Sequence, residues 1–185
     1  MLGHDPSGDA DGTAVEEWGM TTHGTDVDRT AEWADFRARY LQSRPDRPPS
    51  AARGVHHVAL LSSDVERTIR FYQELLEFPL TDLFENRDYA GSTHFFFDIG
   101  NGNALAFFDM PGLDLGPYAE VLGGLHHLAI SVESDRWAHL RAKLEAAGIG
   151  TQHIDGSSLY FTGPDGERLE LISDPLEEMY GRAIG

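Results

Sequence analysis

Two stretches of this chain carry paired histidines directly ahead of an apolar run: Gly54–Asp64, GVHHVALLSSD, and Gly124–Ser134, GLHHLAISVES. A third stretch, RLELI from Arg168 to Ile172, places one carboxylate, Glu170, among apolar neighbours. Side chains on a strand alternate between faces, so one member of each histidine pair points to the same side of its sheet. A lone carboxylate in an apolar strand is costly to bury unless something compensates it, and a cation does so directly. Two imidazoles and one carboxylate form a common divalent-metal set that leaves coordination positions free for substrate, water or oxygen. If the two stretches pack side by side, these side chains can converge on one ion.

The elements around these residues repeat. Strand 55–61 precedes a helix over about 64–76, a strand near 80–84, and the hairpin STHFFFDIGNGNALAFFD. Strand 125–132 precedes a helix over about 134–147, a short strand near 151–154, and the hairpin SSLYFTGPDGERLELIS. Each copy is therefore β-α-β-β-β. The second histidines of the pairs lie 70 positions apart (127 − 57) and the hairpin glycines 64 apart (166 − 102), a loop-sized difference of six. Aligned on those glycines, Phe96 and Phe97 match Tyr160 and Phe161, whereas Ala106 matches Glu170.

These residues and motifs, VHHVALLSSDVERTIRFYQELLEF and LHHLAISVES…SLYFTGPDGERLEL, resemble the vicinal oxygen chelate superfamily over about residues 54–175. Its members include glyoxalase I, extradiol dioxygenases, fosfomycin-modifying enzymes and bleomycin-resistance proteins. The resemblance implies an α+β fold of two tandem βαβββ modules forming a cupped mixed sheet around a metal site. It also implies His57, His127 and Glu170 as the ligands, with His56 and His126 facing away or supporting them.

The departures narrow the chemistry. Glyoxalase I has a second Glu where this chain has Ala106, and fosfomycin enzymes carry a Thr where it has Ala59. Few Lys or Arg are positioned to clamp an anion. The extradiol pattern fits more closely, with Tyr160 ten residues before Glu170. It implies Fe(II) as the metal, with Mn, Zn, Ni or Co as alternatives. It also implies Tyr160 as a hydrogen-bond partner of bound substrate. His94, two residues from Phe96, is the candidate acid–base, since an unperturbed imidazole relays protons near neutral pH; His153 is a weaker rival. The aromatic hairpin, with Phe95, Phe97, Phe107, Phe108 and Met110, is expected to be mostly core between sheet and helix, with part of it lining an apolar pocket that favours an aromatic or apolar small molecule. The leading expectation is a catechol-cleaving dioxygenase. A non-redox metal-dependent isomerase, epimerase or lyase, and a small-molecule binding protein without turnover, are the alternatives.

Bulk composition bounds the rest. With 31 acidic and 14 basic residues the chain carries a charge of −17, which repels nucleic-acid backbones and anionic membranes. The absence of cysteine rules out disulfides and thiolate chemistry and suits a cytoplasmic setting. No apolar run reaches membrane-spanning length, and the N-terminus lacks the pattern of a secretory signal. The expected organisation is a flexible acidic tail over 1–24, a helix and proline-rich linker over 25–53, modules over 54–113 and 124–175, and a tail over 176–185. The first helix, capped by Thr25 or Asp26 and running to about Gln42, aligns Trp33, Phe36, Tyr40 and Leu41, and is expected to cover a sheet edge or join a homodimer. The segment DPLEEMYGRA is placed to close one end of the pocket.

Overall fold

The computed structural model describes residues 27–179. These residues fall into two units, 27–47 and 48–179. In the first unit, α1 (Thr30–Tyr40) is shorter than the sequence suggests, and the expected caps Thr25 and Asp26 lie outside the described residues. Arg29 is the N-cap and makes no side-chain cap bond; the preceding Asp28 carboxylate accepts from the Thr30 amide at 2.9 Å. No residue of α1 is buried.

The second unit holds the two modules. The first comprises β1 (His57–Leu61), α2 (Val65–Ile69) continuing as a π-helical turn (Arg70–Leu75), β2 (Leu80–Glu85), β3 (Thr93–Asp98) and β4 (Ala104–Phe108). The second comprises β5 (Leu128–Ser131), α3 (Ser134–Ala146), β6 (Thr151–Ile154), β7 (Ser158–Thr162) and β8 (Arg168–Ile172). Each module builds its own four-stranded mixed sheet, ordered β1-β4-β3-β2 and β5-β8-β7-β6. The outer pairs β1–β4 and β5–β8 are parallel; the remaining pairs are antiparallel. The architecture is thus α+β with duplicated βαβββ modules, as the repeat implies, and among the described residues neither sheet closes into a barrel.

Alternation in the strands decides what each sheet buries. Phe95, Phe97, Leu105 and Phe107 from the first sheet, and Leu159, Phe161, Leu169 and Leu171 from the second, turn inward with Tyr72, Leu76, Trp137, Leu140 and Leu144 from the helices. These side chains are nearly all fully buried, and each large one contributes about 1.5–3 kcal/mol in area removed from water. Polar contacts join the modules above this core. The Tyr72 hydroxyl donates to Glu167 Oε1 at 2.7 Å, and Arg67 pairs with Asp165 at 2.7 Å. Glu77, whose backbone is left-handed at φ 61°, gathers His139 (2.8 Å), Lys143 (2.9 Å) and Arg136 from one side of α3.

Candidate metal centre

The opposite sheet faces carry the candidate residues. On the second sheet, Tyr160 pairs with Glu170 and Glu170 pairs with Ala129, so Tyr160, Glu170 and the residue preceding β5, His127, share one face. Glu170 is fully buried, and its Oε2 lies 3.1 Å from His127 Nε2. Two donors each about 2.1 Å from an ion and about 90° apart lie about 3 Å from one another, so the pair matches two positions of a coordination shell. The Tyr160 ring stands edge-on to His127, centroids 5.5 Å apart.

The adjacent histidine orients its neighbour. His126 Nδ1 and His127 Nδ1 are 2.6 Å apart. A proton held on His127 Nδ1 and donated to His126 leaves the Nε2 lone pair for an ion, an arrangement typical of metal-binding imidazoles. Burial holds the His127 pKa below the ordinary value, against the opposing pull of Glu170, so the ring is predominantly neutral near pH 7. His126 Nε2 in turn lies 3.8 Å from Glu120 Oε2.

His57 begins β1 of the other sheet, and its Nδ1 contacts His56 Nδ1 at 2.8 Å, repeating the pattern of the second module. It shares its face with Phe96 (centroids 5.9 Å apart), Ala106, Phe108 and His94. Among the described residues, no three His, Asp or Glu side chains gather closely enough to hold a metal ion. Folding of one chain therefore unites His127 with Glu170 but does not bring His57 to them.

His94 lies face to face with Phe108 at 3.8 Å, with Phe96 at 4.2 Å and Phe84 at 5.4 Å around it. Among the described residues its Nε2 is buried without a hydrogen-bond partner. Desolvation, with a smaller contribution from His57, lowers its pKa. His153 projects from the other face of its sheet, 5.0 Å from Trp137, which removes it from the candidate site.

Sequence reading missed Arg168. It lies on the Glu170 face with its side chain 9% exposed and its guanidinium 4.9 Å from the Tyr160 ring centroid. The expectation that few cations face the site overlooked it, although its spacing of two from Glu170 on a strand was the available signal. A cavity of about 790 Å³ adjoins this face, lined by His127, Ala129, Ser131, Ile172 and segment 174–179. The C-terminal segment thus borders the pocket where it is described.

The family model described as the glyoxalase/bleomycin resistance protein/dioxygenase superfamily matches residues 54–171. The chain belongs to this superfamily. It is 25% identical over 139 residues to MhqA of Bacillus subtilis (strain 168), whose name assigns it provisionally to the ring-cleaving dioxygenases; the match covers 71% of this chain but 43% of MhqA. It is 24% identical over 139 residues to the metallothiol transferase FosB of Lysinibacillus sphaericus (strain C3-41), covering 68% of this chain and 86% of FosB. A glyoxalase family protein from Enterococcus faecalis superposes with TM-score 0.53 at 30% identity, over 65% of this chain and 97% of that one. The chain spans less than half the length of MhqA. Among the described residues no helix is long and apolar enough to cross a membrane.

Proposed function

We propose that the chain is a divalent-metal-dependent enzyme acting as an extradiol-like dioxygenase on a catechol-like aromatic, with Fe(II) as its metal. The observation that carries this reading is the contact of His127 with fully buried Glu170 at 3.1 Å, with Tyr160 on the same face. His57 of a second copy of the chain completes the ligand set, because one chain leaves its own His57 face and its His127–Glu170 face separate. An ion held by His127, Glu170 and the second copy's His57 would supply Lewis-acid and redox chemistry to a substrate with two neighbouring oxygens. Tyr160 hydrogen-bonds a substrate oxygen. The aromatic side chains beside His57 exclude water and receive a planar ring, and His94 accepts a proton through its unpartnered Nε2.

Anaerobic purification followed by metal analysis, oligomer sizing and oxygen-uptake assays on a panel of catechols tests the reading. Iron in a dimer with catechol-dependent oxygen consumption is the expected result; a monomer without metal affinity defeats it. Non-redox metal chemistry is the second reading. The match to FosB favours it, since that alignment covers 86% of the relative whereas the dioxygenase match covers 43%. Tight binding of Mn, Zn, Ni or Co without oxygen uptake identifies it.

A further inference from the structure

Among the described residues, Arg168 is the one lysine or arginine in a strand. Its side chain is nearly as sheltered as the core, in a chain with more than twice as many acids as bases. Taking a guanidinium out of water costs several kcal/mol unless a well-placed anion and further hydrogen bonds compensate it. The carboxylate facing it is poorly placed for that task. Glu120 approaches from the segment between the modules, its Oε1 at 3.5 Å from Nη1, the outer limit of a hydrogen bond, and its side chain is 46% exposed. The same carboxylate is shared with His126 at 3.8 Å. The guanidinium is nevertheless held in place, stacked over Tyr160.

We infer that Arg168 is a specificity-determining anchor for a carboxylate on the substrate, and that the preferred ligand is an aromatic acid. For the identity of this face as the substrate site, the inference rests on the functional reading above. Arg168 and Glu170 project from the same side of β8 two residues apart, about 6.6 Å along the strand. That separation suits one aromatic ring carrying its chelating oxygens at one end and an acid group at the other. The planar guanidinium fork accepts a carboxylate through two parallel N–H···O bonds, which the distant Glu120 contact does not provide. Glu120 is then a stand-in that an incoming acid displaces.

Two variants separate this role from a purely structural strap between β8 and the inter-module segment. Benzoate and its neutral counterpart benzamide are titrated calorimetrically into the full-length protein, with and without Mn(II), for the wild type, Arg168→Gln and Glu120→Gln. The wild type is expected to prefer benzoate by about tenfold or more, as a charge-assisted pair requires. Arg168→Gln should erase that preference, whereas Glu120→Gln, by removing the competing carboxylate, should tighten benzoate several-fold and leave benzamide unchanged. The two variants thus shift benzoate affinity in opposite directions. A strap predicts that both lower Tm and leave the benzoate-to-benzamide ratio alone; that result, or a wild type without any preference, overturns the anchor. Oxygen uptake with 3,4-dihydroxybenzoate and catechol tests the functional reading separately. A chain that consumes oxygen equally well with both retains its dioxygenase assignment and loses the anchor.

Discussion

The two sheets share strand order and the register of their first three strands, yet the faces carrying the candidate residues have opposite chemical character. Where β5 and β8 pair Ala129 with Glu170, β1 and β4 pair Ala59 with Ala106. Where β7 sets Tyr160 opposite Glu170, β3 sets Phe96 opposite Ala106. The second face therefore holds a carboxylate, a phenol and a guanidinium beside His127, and the first holds phenylalanines and the unpartnered His94 beside His57. Both keep the histidine pair with its Nδ1–Nδ1 contact. Duplication thus supplies one scaffold twice, and differences at matching positions give one half the charged side chains and the other an aromatic wall.

The most severe break of this asymmetry is Glu170→Gln. It keeps the shape and removes the anionic donor, and should weaken metal binding by more than about 100-fold, measured by competition with a chelating dye. Retention of the metal would remove the second face from the site. On the first face, His94→Ala should lower turnover by about 100-fold while metal content stays unchanged. Equal loss of both would show a packing role instead. The converse graft, Ala106→Glu, sharpens the comparison. A carboxylate beside His57 but among Phe96 and Phe108 should lower Tm in metal-free protein, and added Mn(II) should restore most of the loss if the register alone suffices to form a His–Glu pair.

Smaller effects test the contacts that hold the two halves together. Glu167→Ala leaves the buried Tyr72 hydroxyl without its acceptor and should cost about 1–3 kcal/mol in urea unfolding. At Glu77, hydrogen bonds from His139, Lys143 and Arg136 hold the carboxyl down to about 2. A carboxyl lowered on folding stabilises the protein above its ordinary value and loses that contribution as the pH falls. Stability should therefore decline between about pH 4.5 and pH 2, and Glu77→Gln should flatten that decline. An unchanged acid limb in the variant would show that the clamp contributes nothing to stability.

Much of the fold was legible because its signals are local. The strand 151–154 and both hairpins lie where alternation and turn residues place them, since side-chain period and turn chemistry need only neighbouring residues. β1 and β5 are shorter than their apolar runs, starting at His57 and Leu128, because strand extent depends on where the partner strands β4 and β8 end. The helix over 30–40 formed as expected, but its apolar side chains remain unburied within the described chain, which periodicity alone does not reveal.

For the site, sequence by itself determined which donors exist and which share a face. The two histidine pairs, Glu170 and Tyr160 follow from residue types and a period of two, and the match of Ala106 to Glu170 follows from aligning the two repeats. Tertiary structure decided which of them meet. Pairing of β5 with β8 set His127 against Glu170, whereas His57 went to a separate sheet, because convergence depends on how sheets are arranged in space. It also decided which polar groups lose water, leaving His94 Nε2 without a partner and enclosing Arg168. Desolvation and long-range pairing are properties of the packed chain, and no sequence interval encodes them.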